Sequence, residues 1–322
     1  MLGFNTLRGP WHLRRELVAA VLVVASVEVL ARYQVHQGQW VAGESLASVV
    51  QSNQQSLATE RPRIWLVGNS TLGFGTDHDA LASIVGEPVA VLVNSSSTLR
   101  ASAALLDFYL RHAPRQPERV VVTVTLDDLH RSGYRSQISQ TYLDINLNDA
   151  PPPDPHQLTM RAARRSILLA AGIRHWIRHW LGFPNTGVAP SFAMSAEDDS
   201  SWNGEEIADN DPSYQKLDQK FQMDADGVRE LAALSRRRGI PCTLLLLPVT
   251  GQMQRYHDRH NPSLNYSQVR QQLAEQCREH ALPFVDWGGP SAEIDHFMDP
   301  YHLGVNGREV MTKRIGDWLV GR

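Results

Sequence analysis

The stretch Arg63-Ile-Trp-Leu-Val-Gly-Asn-Ser-Thr-Leu-Gly-Phe-Gly-Thr-Asp77 constrains this chain more than any other. Ile64, Trp65, Leu66 and Val67 follow one another without a polar break, which is how a strand buried on both faces of a parallel sheet reads. The run stops at Gly68-Asn69-Ser70, with Gly73 and Gly75 close behind, so the chain leaves the strand through a tight turn of small residues. Ser70 therefore stands at the carboxyl end of a strand. In open α/β sheets ligands bind at that edge, where a serine hydroxyl lies beside backbone N–H groups of the turn and the next helix. Most serines after a strand are turn formers or helix caps, so the functional reading depends on the rest of the chain.

Four further apolar runs continue the pattern. Strands are expected over residues 88–93, 119–126, 241–247 and 283–286, with helices over 77–85, 98–112, 224–238, 265–280 and 305–320. Strands alternating with helices build right-handed βαβ units, which put every strand's carboxyl end on one side. Three of these ends carry polar residues: Ser70, the run Asn94-Ser-Ser-Ser-Thr98, and Asp127-Asp128. The expected fold is an α/β three-layer α/β/α sandwich around a five-stranded parallel sheet in the order 2-1-3-4-5, with the central turn on the first strand.

The amino terminus is of a different kind. Arg8, Arg14 and Arg15 precede an apolar run over 17–31 that only Ser26 and Glu28 interrupt, the pattern of a membrane-targeting segment with its basic flank inside. As a helix it would span roughly 22 Å, short of the hydrocarbon core, so it suits either a cleaved signal or a short uncleaved anchor; we favour the anchor. The expected organisation is a membrane anchor or signal segment over 1–31, a polar Gln- and Ser-rich linker over 32–60, and one domain over 61–322 on the periplasmic, extracytoplasmic side of an inner membrane.

Residues 131–222 interrupt the domain as a helical and loop insertion. Over 156–181, Leu169, Ile173, Trp176, Ile177 and Trp180 form one helical face, while arginines and histidines gather on another. Such a helix docks on its host domain, on a partner or on a membrane surface. Residues 184–212 are acidic, without periodicity, and read as a surface loop. A net charge of −3 and the absence of a basic block with interleaved aromatics give no case for nucleic acid. Cys242 and Cys277 are too few for a disulfide framework and too far apart for a metal site. No cofactor or metal is expected, and both thiols read as buried, although one bridge is open to them in an oxidising compartment.

Asp299 and His302 lie three residues apart before the last helix. At that spacing a carboxylate can bond the imidazole Nδ1–H and leave Nε2 free, the orienter and base that a serine nucleophile requires. The turn with Ser70, the parallel-type strands and Asp299-Pro-Tyr-His-Leu303 falling before the closing helix together resemble the SGNH (GDSL-like) hydrolase family. The resemblance covers 61–130 and 224–320. It implies Ser70 as nucleophile, in Gly68-Asn69-Ser70 where the family has Gly-Asp-Ser, with His302 as base and Asp299 as its orienter. The oxyanion and substrate side is implied for Ser70, Asn69, Ser96 and Asp127. Ser96 stands where the family has a glycine, and Asp127 where it has an asparagine. An ionised Asp127 cannot donate, and loss of one oxyanion donor typically costs about 10²–10³ in rate. With its membrane segment the chain is similar to the divergent, membrane-tethered branch that acylates cell-surface polymers beside membrane-bound O-acyltransferases.

The resemblance implies an extracytoplasmic serine esterase or O-acyltransferase acting on acetyl-like esters of a carbohydrate or cell-envelope polymer. A non-catalytic module of the same fold, binding a glycan or a membrane acyltransferase partner, is the alternative that Asp127 and Ser96 support. A flavodoxin-like nucleotide or flavin binder shares the sheet but has no need of Asp299 and His302.

Overall fold

The computed structural model describes residues 26, 44–94, 97–130, 204–208, 221–289 and 296–321. Five strands form one sheet: β1 (Ile64–Gly68), β2 (Val89–Val93), β3 (Arg119–Val124), β4 (Cys242–Leu246) and β5 (Phe284–Asp286). All neighbours are parallel and the order is β2-β1-β3-β4-β5, as the run of apolar segments predicts. Among the described residues eight α-helices accompany them: α1 (Glu44–Glu60), α2 (Ser70–Gly75), α3 (His78–Val85), α4 (Leu99–His112), α5 (Ala225–Arg238), α6 (Gly251–His260), α7 (Tyr266–Glu279) and α8 (Val305–Val320).

Alternating residues send β1 into two cores, because successive side chains of a strand point to opposite faces. Trp65 and Val67 join the larger apolar cluster with α4, α5, α6 and α7. Ile64 and Leu66 join a second cluster with Leu72 of α2, Leu81 of α3 and Met311, Ile315 and Leu319 of α8. Helices thus cover both faces of the sheet, and the residues of the inner strands are mostly apolar. The connection from β1 to β2 runs over the second face and that from β2 to β3 over the first. The chain therefore changes direction between β1 and β3, and a crevice opens at their carboxyl ends. Residues 69–70 and 125–128 lie at those two ends.

Four elements differ from the sequence expectation, the first being α2, a helix where a tight turn is expected. The stretch expected as a linker contains α1, whose Leu57 and Asn53 are buried and whose Asn53 Nδ2 donates to the Tyr109 hydroxyl at 2.8 Å. Helix α6 was not foreseen. It is polar along most of its length, buries Met253 and Tyr256, and begins at a Thr250 cap whose hydroxyl accepts from Met253 N–H. The third strand stops at Val124, and Leu126–Leu129 form a 3-10 turn instead. Of the insertion, residues 204–208 dock on α6: Gln252 Nε2 donates to Gly204 O at 2.8 Å and Arg259 Nη2 to Ile207 O at 3.0 Å. The helix expected over 156–181 and the rest of the loop expected over 184–212 lie outside the described residues, as does the apolar run over 17–31 apart from Ser26. Among the described residues no helix is long and apolar enough to cross a membrane.

Candidate active site

The turn after β1 is the start of a helix. Asn69 is extended, at φ −91° and ψ −163°, and its Oδ1 accepts from Thr71 N–H at 2.8 Å and Thr71 Oγ1 at 2.6 Å, the geometry of an N-cap. A helix leaves its first four N–H groups without intrahelical acceptors. Here Thr71 bonds the Asn69 side chain, and Leu72 and Gly73 bond Asn69 O at 3.1 and 3.3 Å. The N–H of Ser70, at the first position of the helix, has no such acceptor among the described residues, and the Ser70 hydroxyl stands beside it.

The opposite half of the site sits on the loop before α8. Phe297 and Leu303 are buried and paired as an antiparallel bridge, Met298 N–H donates to His302 O at 3.0 Å, and Gly304 N–H to His296 O at 2.8 Å. A Cβ at Gly307 would stand 2.1 Å from His296 O, so only glycine lets the first turn of α8 close against this loop. Pro300 O accepts from Thr250 N–H and hydroxyl at 3.3 and 3.2 Å, which fastens the loop to the start of α6.

These two supports bring together residues that are more than two hundred positions apart. Ser70 Oγ lies 2.9 Å from His302 Nε2, and His302 Nδ1 lies 2.7 Å from Asp299 Oδ2. Asp299 Oδ1 also accepts from the backbone N–H groups of Tyr301 at 2.7 Å and His302 at 2.8 Å. Burial pushes the Asp299 carboxyl up, but the hydrogen bond and charge of His302 and the two backbone donors outweigh it and hold the pKa below the ordinary carboxylate value. An ionised carboxylate can only accept, so the imidazole proton belongs on Nδ1 and Nε2 is left to accept from the Ser70 hydroxyl. The arrangement can take the serine proton as Ser70 Oγ forms a bond and stabilise the imidazolium that results. The Phe74 ring packs edge-on against His302, with centroids 5.0 Å apart.

Of the remaining expected residues, Asn69 and Asp127 are among those described. Asn69, expected on the substrate side, engages both ends of its side-chain amide within the fold: Oδ1 caps α2, and Nδ2 donates to Asp128 Oδ1 at 2.6 Å. Asp127, expected near the oxyanion, is 5% exposed and its Oδ1 accepts from the Tyr301 hydroxyl at 2.8 Å. Ser96 lies outside the described residues. Asp128, Tyr301 and Phe74 were not singled out in the sequence. The only signals for the first two were a pair of acids ending a strand and a tyrosine beside the histidine. Among the described residues no three His, Cys, Asp or Glu side chains gather as a metal-binding group.

No protein-family model matches the chain, and no curated protein matches it. Among solved structures it is similar to a protein of Bacteroides fragilis NCTC 9343 provisionally named an acylhydrolase, at 13% identity and a TM-score of 0.37, covering 87% of this chain and 98% of that one. It is also similar to a protein of Streptococcus pneumonia provisionally named a platelet activating factor, at 10% identity and a TM-score of 0.36, covering 96% and 99%.

Proposed function

We propose that this chain is a serine-dependent ester hydrolase or O-acyltransferase. The observation that carries the reading is the unbroken line Ser70 Oγ, His302 Nε2, His302 Nδ1, Asp299 Oδ2, with separations of 2.9 and 2.7 Å between the three side chains. Ser70 Oγ attacks the acyl carbonyl carbon while its proton passes to His302 Nε2. The carbonyl oxygen gains the negative charge, and the Ser70 N–H is the donor beside it. As the carbonyl re-forms, the ester C–O bond breaks and the alcohol leaves with the proton from Nε2. A water or a sugar hydroxyl then attacks the acyl-serine carbon and gives its proton to Nε2; the acyl–Oγ bond breaks, Ser70 Oγ takes the proton back from Nε2, and the acid or the new ester is released. Asp299 holds the ring and its charge throughout.

The substrate belongs to the same proposal: an acetyl-like ester of a carbohydrate or cell-envelope polymer, handled on the outer side of the inner membrane beside a membrane-bound O-acyltransferase. Its support is the resemblance carried by Ser70, Asp299 and His302, joined to the three arginines that precede the apolar run over 17–31. Protease added to spheroplasts should digest the domain, and full protection would refute the location.

A second reading, a non-catalytic glycan- or partner-binding module, draws on Asp127, a carboxylate where the resemblance implies an amide donor. A fluorophosphonate probe applied to the full-length chain in detergent separates the two. Covalent labelling that Ser70→Ala abolishes supports the hydrolase or transferase. A folded wild type that never labels overturns it in favour of the binding module.

A further inference from the structure

Two consecutive carboxylates at the end of β3 each hold one half of the Ser70–His302 pair. Asp128 Oδ2 accepts from Thr125 N–H at 2.7 Å and Thr125 Oγ1 at 3.0 Å, so this carboxylate is fixed to its own turn. Its other oxygen accepts from Asn69 Nδ2 at 2.6 Å. The Asn69 amide cannot turn over: a flip would set Oδ1 against the carboxylate and Nδ2 against Thr71 N–H, two mismatches in place of two bonds. The residue before the serine is thereby locked to β3. On the other side, Asp127 Oδ1 accepts from the hydroxyl of Tyr301, the residue before the histidine.

The turn that joins these carboxylates is itself closed, by Asp128 N–H on Thr125 O at 3.2 Å and His130 N–H on Asp127 O at 3.3 Å. Asn69, Asp127, Asp128 and Tyr301 are all buried, at 4, 5, 2 and 8% exposure, where hydrogen bonds are strong and mismatches costly. We infer that the turn Leu126–Leu129 is the gauge of the site: Asp128, through Asn69, and Asp127, through Tyr301, are positioning residues that set the distance between Ser70 and His302. The inference rests on the proposed serine chemistry. These bonds of the two carboxylates run to Asn69, Thr125 and Tyr301, of which Asn69 and Tyr301 are one residue away from the reacting pair.

The Asn69–Asp128 pair has a distinctive property: its two side chains can exchange. Asn69→Asp alone sets two carboxylates against each other at hydrogen-bonding distance. Asn69→Asp with Asp128→Asn reverses the polarity, yet the carboxylate at position 69 still caps Thr71 and the amide at position 128 still accepts from Thr125. Fluorophosphonate labelling of the full-length chain, followed as maximal rate and half-saturating probe concentration, tests this. The single exchange should lower the maximal rate by roughly tenfold or more, the size of one mismatched buried hydrogen bond, and the double exchange should recover most of it. Tyr301→Phe, which keeps shape and fold, should lower the maximal rate severalfold with the half-saturating concentration unchanged.

A folded Asn69→Asp variant labelling at the wild-type rate, a double exchange no better than the single one, or an unaffected Tyr301→Phe would each overturn the inference while the serine chemistry stands. If Asn69→Asp does not fold, the comparison of the double exchange with Asp128→Asn and the Tyr301→Phe result decide. A wild type that does not label removes the parent reading and this one together.

Discussion

Phe74, four residues after Ser70 on the same short helix, sets its ring at 70° to the imidazole of His302 with centroids 5.0 Å apart. The helix that presents the hydroxyl thus also limits how far the base can swing away from it. An edge-to-face aromatic contact contributes about 0.5–1.5 kcal/mol beyond its buried area, a factor of roughly 2–10. Phe74→Ala should lower the rate of covalent labelling at Ser70 by that factor while Thr71 and Asn69 keep the helix capped. A variant that labels at the wild-type rate would show that the ring does not restrain the imidazole.

Asp299 carries two separable consequences. In the reaction its exchange for asparagine leaves the backbone donors of Tyr301 and His302 an oxygen to bond but offers an amide where the imidazole needs an anion. In the best-studied serine triad the corresponding change costs about 10⁴ in turnover, and a loss of at least about a hundredfold in labelling or ester hydrolysis is expected here.

In stability the sign follows from the depressed folded pKa of Asp299. The contribution is whole above the unfolded-chain value, about 3.9 for an aspartate, and is lost as the pH falls through the lower folded value. Asp299→Asn should therefore unfold at lower urea than wild type at pH 7, with the gap closing below about pH 4. A gap that stays constant through the acid range would refute the assignment.

The parts of the fold legible in the sequence were those dictated by burial on two faces. The strands buried on both faces are apolar along most of their length, so they stood out as runs, and Ser70, Asp299 and His302 could be placed at one edge because parallel strands end together. Helix α6 was hidden because only Met253 and Tyr256 face the core firmly, and α1 because, among the described residues, its contact with the domain is a single buried leucine, Leu57, beside a polar chain, Asn53 to Tyr109 to Asn94. Asp127 and Asp128 could not be told apart in advance. Which carboxylate faces Asn69 and which faces Tyr301 is decided by the geometry of a 3-10 turn of four residues, and no periodicity records that.

The two cysteines make a simple probe of the core. Cys242 on β4 and Cys277 on α7 are free, each 1% exposed, and burial pushes their thiols up to about 11 and about 12. The thiolate is the reactive form, so neither should react with an aromatic disulfide reagent at pH 8 in the folded chain. Both should react at once in denaturant. One fast-reacting thiol before unfolding, or an intramolecular bridge in the native protein, would contradict this packing.

Gly68 ends β1 directly before the Asn69 cap, and its lack of a side chain is a packing requirement. A Cβ there would stand 2.0 Å from Thr123 Oγ1 on the neighbouring strand β3 and 3.0 Å from Leu72 Cβ. Thr123 is 2% exposed and cannot swing into solvent, so Gly68→Ala must push β1 and β3 apart at the point where their ends carry the site. Overpacking of this kind costs about 1–3 kcal/mol, read as a lower urea midpoint with an unchanged slope. Adding Thr123→Ala removes the nearest obstacle and should recover most of that loss, leaving the Leu72 contact at 3.0 Å as the remainder. Because Asn69 follows Gly68 directly and Asp128 lies four residues beyond Val124, the single variant should lose labelling at Ser70 even where it remains folded, and the double variant should regain it. A Gly68→Ala chain with wild-type stability would mean that the strands yield at no cost, and the close approach of β1 to β3 would then have no part in holding the serine in place.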